Sequence, residues 1–333
     1  MYQDFYGMKT LAFQLTPDAR FFFESAEHKR AMAHLTYGLH NAEGFIVITG
    51  EVGAGKTTLI ERLLSNIDPS SFIAAKIVTS QLGGDDLLRM VASGFGLEHT
   101  GLPKATLLTG IQEFVLSQMA EHRRALLIVD EAQNLSFEAL EELRMLSNIV
   151  VGRATALQSF LVGQPQFRKV LANPALAQLR QRITGAYHIG PLTKDDTRSY
   201  IEHRLRCAGW TGDPHFDEDC FQTVFRFTDG VPRRINGLCS RLLLYGFLEE
   251  IHTFSAADAE RLALELRAEL SAVALAGDSL VPMARAETSG QSDAMTERLV
   301  ALEGMTASHQ RTIRRLIEIM LGHFKGAHAD ETS

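Results

Sequence analysis

The sequence contains no apolar run of the roughly 18 residues that a membrane-spanning helix needs, which excludes an integral helical membrane protein. Its first residues, Met1-Tyr2-Gln3-Asp4-Phe5, lack a basic stretch followed by an apolar one, so no secretory leader is expected. Cysteine is scarce: Cys207, Cys220 and Cys239 form no CxxC pair and match no zinc-ligand spacing. They read as reduced thiols of a cytoplasmic protein rather than as a disulfide frame. Net positive charge is missing as well. The formal net charge is −7, whereas a domain held on duplex DNA by bulk electrostatics is usually basic. Nucleic acid is thereby disfavoured as a partner, although a local basic patch stays open. The twelve histidines include no HExxH, and His28, His34 and His40, six apart, share no helical face, so none is given a role. No internal repeat of fixed period is present.

What is there suffices for one large or two modest domains, since 45% of the 333 residues are apolar and 22% charged. Phe45–Thr49 is a short β-branched run ending at glycine and reads as a buried strand. Further strands are expected at Phe72–Val78, Ala125–Asp130, Leu157–Val162 and Ala186–Ile189. Helices are expected from Thr57, over Asp86–Gly94 and Leu107–Glu121, and from a Ser136 cap to about Ser147. Strands alternating with helices imply parallel pairing through crossovers, hence a three-layer α/β sandwich over residues 1–190.

Beyond Pro191 the pattern turns helical, with no strand evident. Thr193-Lys194-Asp195-Asp196 opens a helix to about Cys207. Others follow near Asp217–Phe227, Pro232–Leu248 and Ser255–Leu270, giving an all-helical domain over 191–270. Residues 271–295, rich in Ala, Ser, Gly and Asp, read as a linker. Within 296–333, Ile313, Leu316, Ile317, Met320, Leu321 and Phe324 follow helical spacing, flanked by Arg311, Arg314, Arg315 and Lys325. That amphipathic helix suits an anionic membrane surface, a partner helix, or its own protein.

Gly50-Glu51-Val52-Gly53-Ala54-Gly55-Lys56-Thr57 fits G-x-x-x-x-G-K-[ST] between an apolar strand and a helix. In such a loop the glycines let backbone N–H groups turn around phosphate oxygens, and the helix start adds the positive end of its dipole. Lys56 is expected on the β- and γ-phosphates of ATP, Thr57 on Mg²⁺, and Thr58 one position on in the same cradle. Asp130 ends an apolar strand at the ligand-lining edge of a parallel sheet and is expected to hold Mg²⁺. Glu131 is placed to act as general base on the attacking water, a role worth about 10²–10⁴ in rate.

These motifs, followed by a helical domain, resemble the AAA+ ATPases. Within them the chain resembles the ExeA/general secretion pathway protein A group, nearest the secretion ATPases of exosortase/PEP-CTERM loci. The resemblance rests on Phe5-Tyr6-Gly7, Leu15-Thr16-Pro17-Asp18 with Phe21-Phe22-Phe23, and Gly44–Thr58. It also rests on Asp130-Glu131-Ala132-Gln133-Asn134-Leu135, Leu161-Val162-Gly163-Gln164-Pro165 and Gly230–Asn236, and covers roughly residues 1–270. It implies that Gln164 is a sensor for the lytic water. Arg182, with Arg180 beside it, stands where an arginine finger reaches a neighbour's γ-phosphate, and Arg233 stands as the sensor of its own subunit's nucleotide. The aromatic segment Phe5–Phe23 is expected to wrap the sheet edge and help line the adenine pocket. The resemblance further implies a homo-oligomer serving envelope secretion or polysaccharide-export proteins, at the inner face of the plasma membrane. Two alternatives share the core motifs: a DNA-associated AAA+ protein of the transposition or replication-initiator type, and a helicase, for which no later motif is found.

Overall fold

The computed structural model describes residues 2–14, 16, 18–41, 44–79, 83–151 and 154–278. Residues Met1 to Ser271 form one compact unit. Its centre is a five-stranded sheet of β1 (Phe45–Gly50), β2 (Phe72–Val78), β3 (Arg124–Asp130), β4 (Leu157–Gly163) and β5 (Ile183–Ile189), in the order β2-β3-β4-β1-β5. Every pairing is parallel, as the strand–helix alternation predicts.

Position in the sheet explains composition. Central β1 and β4 are buried at every residue; β1 reads as an apolar run up to Thr49, while β4 buries Gln158 and Ser159 beside its apolar residues. The edge strands β2 and β5 alternate between covered and open positions. β5 begins at Ile183 and not at Ala186: Gly185 interrupts the strand pattern, and the pairing with β1 is irregular beside it.

Alternate side chains of each strand feed opposite layers. Phe45, Val47, Leu127, Val129 and Leu161 meet α3 (Gly84–Gly94), α4 (Lys104–Ala120) and α5 (Phe137–Leu146), through Leu88, Ile111 and Leu143 among others. Ile46, Ile48, Leu126, Ile128 and Phe160 meet α1 (Ala26–Asn41) and α2 (Lys56–Asn66), through Leu35 and Leu59. The Ser136 hydroxyl accepts from Ala139 N at 3.1 Å and starts α5 as expected.

After β5 come α6 (Lys194–Cys207), α7 (Glu218–Thr228), α8 (Pro232–Leu248) and α9 (Ala256–Asp278). Thr193 caps α6 by accepting from Asp196 N, and Ser255 and Asp258 form a reciprocal capping box at α9. Four expectations need correction. The helical part does contain strand: His215–Phe216 pairs in parallel with Thr253–Phe254, two residues each, too short to leave a periodic signal. A small hairpin, Val150–Val151 with Ala154–Thr155, precedes β4 for the same reason unforeseen. Helix α9 runs through 271–278, which had been expected as linker, because Ala and Leu dominate there and favour helix. The N-terminal aromatics do not chiefly wrap the sheet edge. Tyr6, Phe13 and Phe21 are buried against Tyr200, Leu205 and Leu242 of α6 and α8. The remainder of the 271–295 linker and the 296–333 amphipathic helix lie outside the described residues.

Candidate functional site

The strand ends β1, β4 and β3 carry the three elements of the site side by side. The loop Gly50–Gly55 follows β1, Gln164 follows β4, and Asp130 and Glu131 close β3. Two glycines make the loop possible. Gly53 has φ 83°, and a Cβ there would stand 2.2 Å from Arg233 Cβ. Gly55 has φ 91° and caps α2, and its Cβ would stand 2.8 Å from His28 Nε2. Ala54 and Lys56 are buried while Glu51 and Val52 are exposed at the loop tip. Lys56 Nζ donates to Gly50 O at 2.7 Å and Glu51 O at 2.9 Å, and burial lowers its pKa from the ordinary lysine value against the pull of Glu131 and Asp130.

Thr57 Oγ1 donates to Asp130 Oδ2 at 3.1 Å, bridging α2 and β3 across the intervening β4. Asp130 is 4% exposed, and its Oδ1 accepts from Glu131 N at 3.0 Å. Glu131 itself has φ 55°, a left-handed conformation uncommon outside glycine and typical of sites that hold strain. Gln164 Nε2 donates to Glu131 Oε2 at 3.1 Å, and Gln133 Nε2 donates to the same oxygen. Gln133 Oε1 accepts from Gln164 N at 2.9 Å and closes the triangle.

A cavity of 340 Å³ opens in front of these groups. Gly53, Gly55, Lys56, Thr57, Thr58 and Glu131 form one wall. Phe21–Phe23, Tyr200 and Arg204 form the other, with Arg233 above the loop. The aromatic segment thus lines the cavity as expected, though it is carried by the helical layer. Arg233 N donates to Gly53 O at 3.2 Å, so α8 begins on the phosphate-type loop itself. Thr57 and Asp130 supply hard oxygen donors, and among the described residues no cluster of three or more His, Cys, Asp or Glu could hold a metal alone. A hydroxyl and a carboxylate of this kind fit a magnesium ion that takes its other oxygens from a phosphate and water.

Arg182 is not part of this cluster. It precedes β5, whose Ile183 pairs with Phe45 and whose Ile189 pairs with Gly50. It therefore sits at the opposite edge of the sheet, about 20 Å from the loop at the usual rise per strand residue. Its Nη1 donates to Ser147 Oγ at 2.8 Å, while Arg180 Nη1 donates to Leu171 O at 2.9 Å.

A model of the AAA domain family matches residues 39–171. General secretion pathway protein A of Aeromonas hydrophila is 37% identical over 267 residues, covering 80% of this chain and 48% of that protein. The chain thus spans about half the length of the curated relative it matches. Among solved structures, the ORC2 protein of Aeropyrum pernix superposes with a TM-score of 0.57 at 15% identity, over 75% of this chain and 72% of that one. Cdc6p of Pyrobaculum aerophilum does so with a TM-score of 0.57 at 17% identity, over 75% and 71%. The fold is that of the AAA+ P-loop proteins.

Several residues of this site escape sequence reasoning. Gln133 stands two residues from Glu131, within a motif already singled out, and its amide was the available signal. Thr79 Oγ1 lies within hydrogen-bond reach of Asp130 O at 3.0 Å and Glu131 O at 2.8 Å, and steadies the strained turn from the end of β2. His28 packs under the loop, with Nε2 3.2 Å from Ala54 O. Arg204, 7% exposed, donates to Ala12 O at 2.7 Å and to Tyr200 Oη at 3.0 Å, and Tyr200 Oη donates to Asn236 Oδ1 at 2.8 Å. The last two groups meet partners dozens to nearly two hundred positions away, which no local pattern announces.

Proposed function

We propose that the chain binds ATP with magnesium in the cavity before Gly50–Thr57 and hydrolyses it to ADP and phosphate. The observation that carries this reading is that Lys56, Thr57 and Glu131 line that cavity together, with Asp130 hydrogen-bonded to Thr57 and Gln164 to Glu131 behind them. Backbone N–H groups of Gly53 to Thr58 and the α2 N-terminus cradle the phosphates, and Ala54 packs the loop from below. Lys56 leaves its loop carbonyls to meet β- and γ-oxygens. Thr57 and Asp130 would hold magnesium, which supplies charge neutralisation at the phosphates. Glu131 accepts a proton from the attacking water. The water oxygen bonds to the γ-phosphorus as the bond to the bridging oxygen breaks, and ADP leaves with that electron pair. The Gln164 and Gln133 amides keep the Glu131 carboxylate aimed. Residues 191–270 act as the lid, and Arg233, the second residue of α8, reports nucleotide state to it. Arg182, 20 Å from its own cradle by strand geometry, serves the γ-phosphate of a neighbouring copy in a homo-oligomer.

The 37% identity with General secretion pathway protein A favours work on an envelope secretion or export assembly; the finer assignment to the exosortase/PEP-CTERM type rests on the sequence motifs alone. No helix among the described residues is long and apolar enough to cross a membrane; the membrane association in this reading is a peripheral contact at the cytoplasmic face. The likeness to ORC2 and Cdc6p is one of fold and keeps DNA association as the second reading. Phosphate release by purified protein, measured alone, with anionic vesicles and with duplex DNA, tests both. Turnover abolished in Lys56→Ala and retained binding without turnover in Glu131→Gln are expected. Stimulation by DNA alone would transfer the protein to the second reading.

A further inference from the structure

Against the glycine loop, where His28 borders the same cavity, lies a buried polar pair that the hydrolytic chemistry does not use. His28, on the first turn of α1, is 5% exposed and Ser25 is 1% exposed. Ser25 Oγ accepts from His28 N at 3.3 Å and stands 2.7 Å from His28 Nδ1. The Ala54 carbonyl can only accept, so the ring proton resides on Nε2, 3.2 Å away, and donates to it. Nδ1 of the neutral ring is then an acceptor, and the Ser25 hydroxyl donates to it. Burial lowers the imidazole pKa and keeps the ring in this neutral form. Phe22 packs edge-on against the ring at 5.7 Å, and Glu27, next along α1, accepts from Tyr187 of β5 at 2.9 Å. The helix turn that carries the histidine is thus tied to the sheet through Glu27.

A trans peptide points its C=O and the following N–H in opposite directions. A donor fixed on Ala54 O therefore fixes the direction of the Gly55 N–H as well. Among the described residues that N–H has no acceptor in the protein, and Gly55 borders the cavity. We propose that His28, oriented by Ser25, is a positioning residue that locks the Ala54–Gly55 peptide so that the Gly55 N–H faces the phosphates of a bound nucleoside di- or triphosphate. This rests on the nucleotide reading above. Without the lock the peptide is free to turn its carbonyl towards the anion, which replaces one attractive dipole by a repulsive one. The contact is close on both sides: a Cβ at Gly55 would meet Nε2 at 2.8 Å, so glycine is required for the ring to approach this near.

The test is equilibrium binding of magnesium ADP and of adenosine to the full chain and to His28→Ala, His28→Gln and His28→Asn. Glutamine places an amide N–H where Nε2 stands, while asparagine places it where Nδ1 stands. His28→Ala is expected to weaken ADP about ten- to hundred-fold, the range for one hydrogen bond to a charged group. Adenosine affinity stays unchanged, His28→Gln recovers most of the loss, and His28→Asn recovers none. Equal losses for ADP and adenosine, or a His28→Gln variant as weak as His28→Ala, would make the histidine mere packing and overturn the proposal. So would wild-type ADP affinity in His28→Ala. Should the alanine variant not fold, Ser25→Ala keeps the ring and removes only its orienting hydroxyl. An ADP-only loss supports the proposal there, and none refutes it. Failure of the unaltered chain to bind ADP at all would strike the nucleotide reading itself, a result distinct from all of these.

Discussion

Gln164 holds the Glu131 carboxylate from the end of the adjacent strand, Nε2 to Oε2 at 3.1 Å, while its own backbone N–H is held by Gln133. The contact joins the strand that carries the general-base candidate to the one between it and the phosphate loop, so the carboxylate cannot turn without moving both. Gln164→Ala removes the amide and leaves the loop and Lys56 untouched. Turnover is expected to fall about 10- to 100-fold, within the range assigned to general-base catalysis, while the affinity for ATP holds steady. Steady-state hydrolysis beside calorimetric binding separates the two. Weaker ATP binding at unchanged turnover would refute the assignment.

Gly53 and Arg233 meet where the loop touches the helical layer. Gly53→Ala asks a φ of 83° of a residue with a side chain, at about 1–2 kcal/mol, and drives its Cβ onto Arg233 Cβ at 2.2 Å. The start of α8 must give way. Loss of nucleotide binding and a melting temperature lowered by several degrees are expected, read by calorimetry and thermal unfolding. Gly110, with open space around its α-carbon, accepts alanine without either effect and serves as the control.

The ease of reading the sheet and its loop from sequence has a physical origin. β1 and β3 are covered on both faces, so burial writes itself as a nearly continuous apolar run, and the glycine loop has few substitutes for its φ angles. Asp130 and Glu131 were found because polar residues at the end of such a run stand out. Edge strand β5 was half legible, since only its interior half resembles a buried strand. His28 was invisible. Its partners are Ser25 close by and Ala54 across the fold, and spacing against His34 and His40 carried no information about either. The aromatics of the N-terminal segment were recognised as core, but which core depended on α6 and α8: Arg204 of α6 donates to the backbone carbonyls of Ala12 and Gln14.

Arg204 illustrates a buried cation stabilised without a carboxylate. Its guanidinium lies 5.0 Å from the Phe21 ring centroid and donates to Ala12 O and Gln14 O. Arg204→Ala leaves two carbonyls and the Tyr200 hydroxyl short of a donor. A loss of about 2–4 kcal/mol in unfolding free energy is expected, from one to three unsatisfied polar groups. Proteolysis is expected to cut first between Met8 and Phe23, because those residues lose their tie to α6. Cleavage elsewhere would refute the role.

His28 also sets a pH dependence. Its folded-state pKa lies below the ordinary 6.5, because burial disfavours the charged ring. On acidification the unfolded chain therefore takes up the proton first, and stability declines as pH drops below about 6.5, down to the folded-state value. Chemical unfolding from pH 7.5 to 5 is expected to show a steeper loss in the unaltered protein than in His28→Gln, with other groups cancelling in the comparison. Parallel curves would remove His28 from the pH response.

Arg182 and Glu131 give the sharpest test of assembly. In one chain the two lie at opposite edges of the sheet, so a shared active centre needs two copies, one presenting Arg182 to the other's loop. Arg182→Ala and Glu131→Gln proteins are each expected to be nearly inactive, the first by up to about 10³–10⁵. Mixed, they form interfaces in which an intact Glu131 from one protein faces an intact Arg182 from the other. Hydrolysis is then expected to reappear, to pass through a maximum near equal proportions, and to rise with total protein concentration. A mixture as inactive as its components would show that Arg182 acts within its own chain, through Ser147 and the start of β5, and would place the transition-state cation elsewhere.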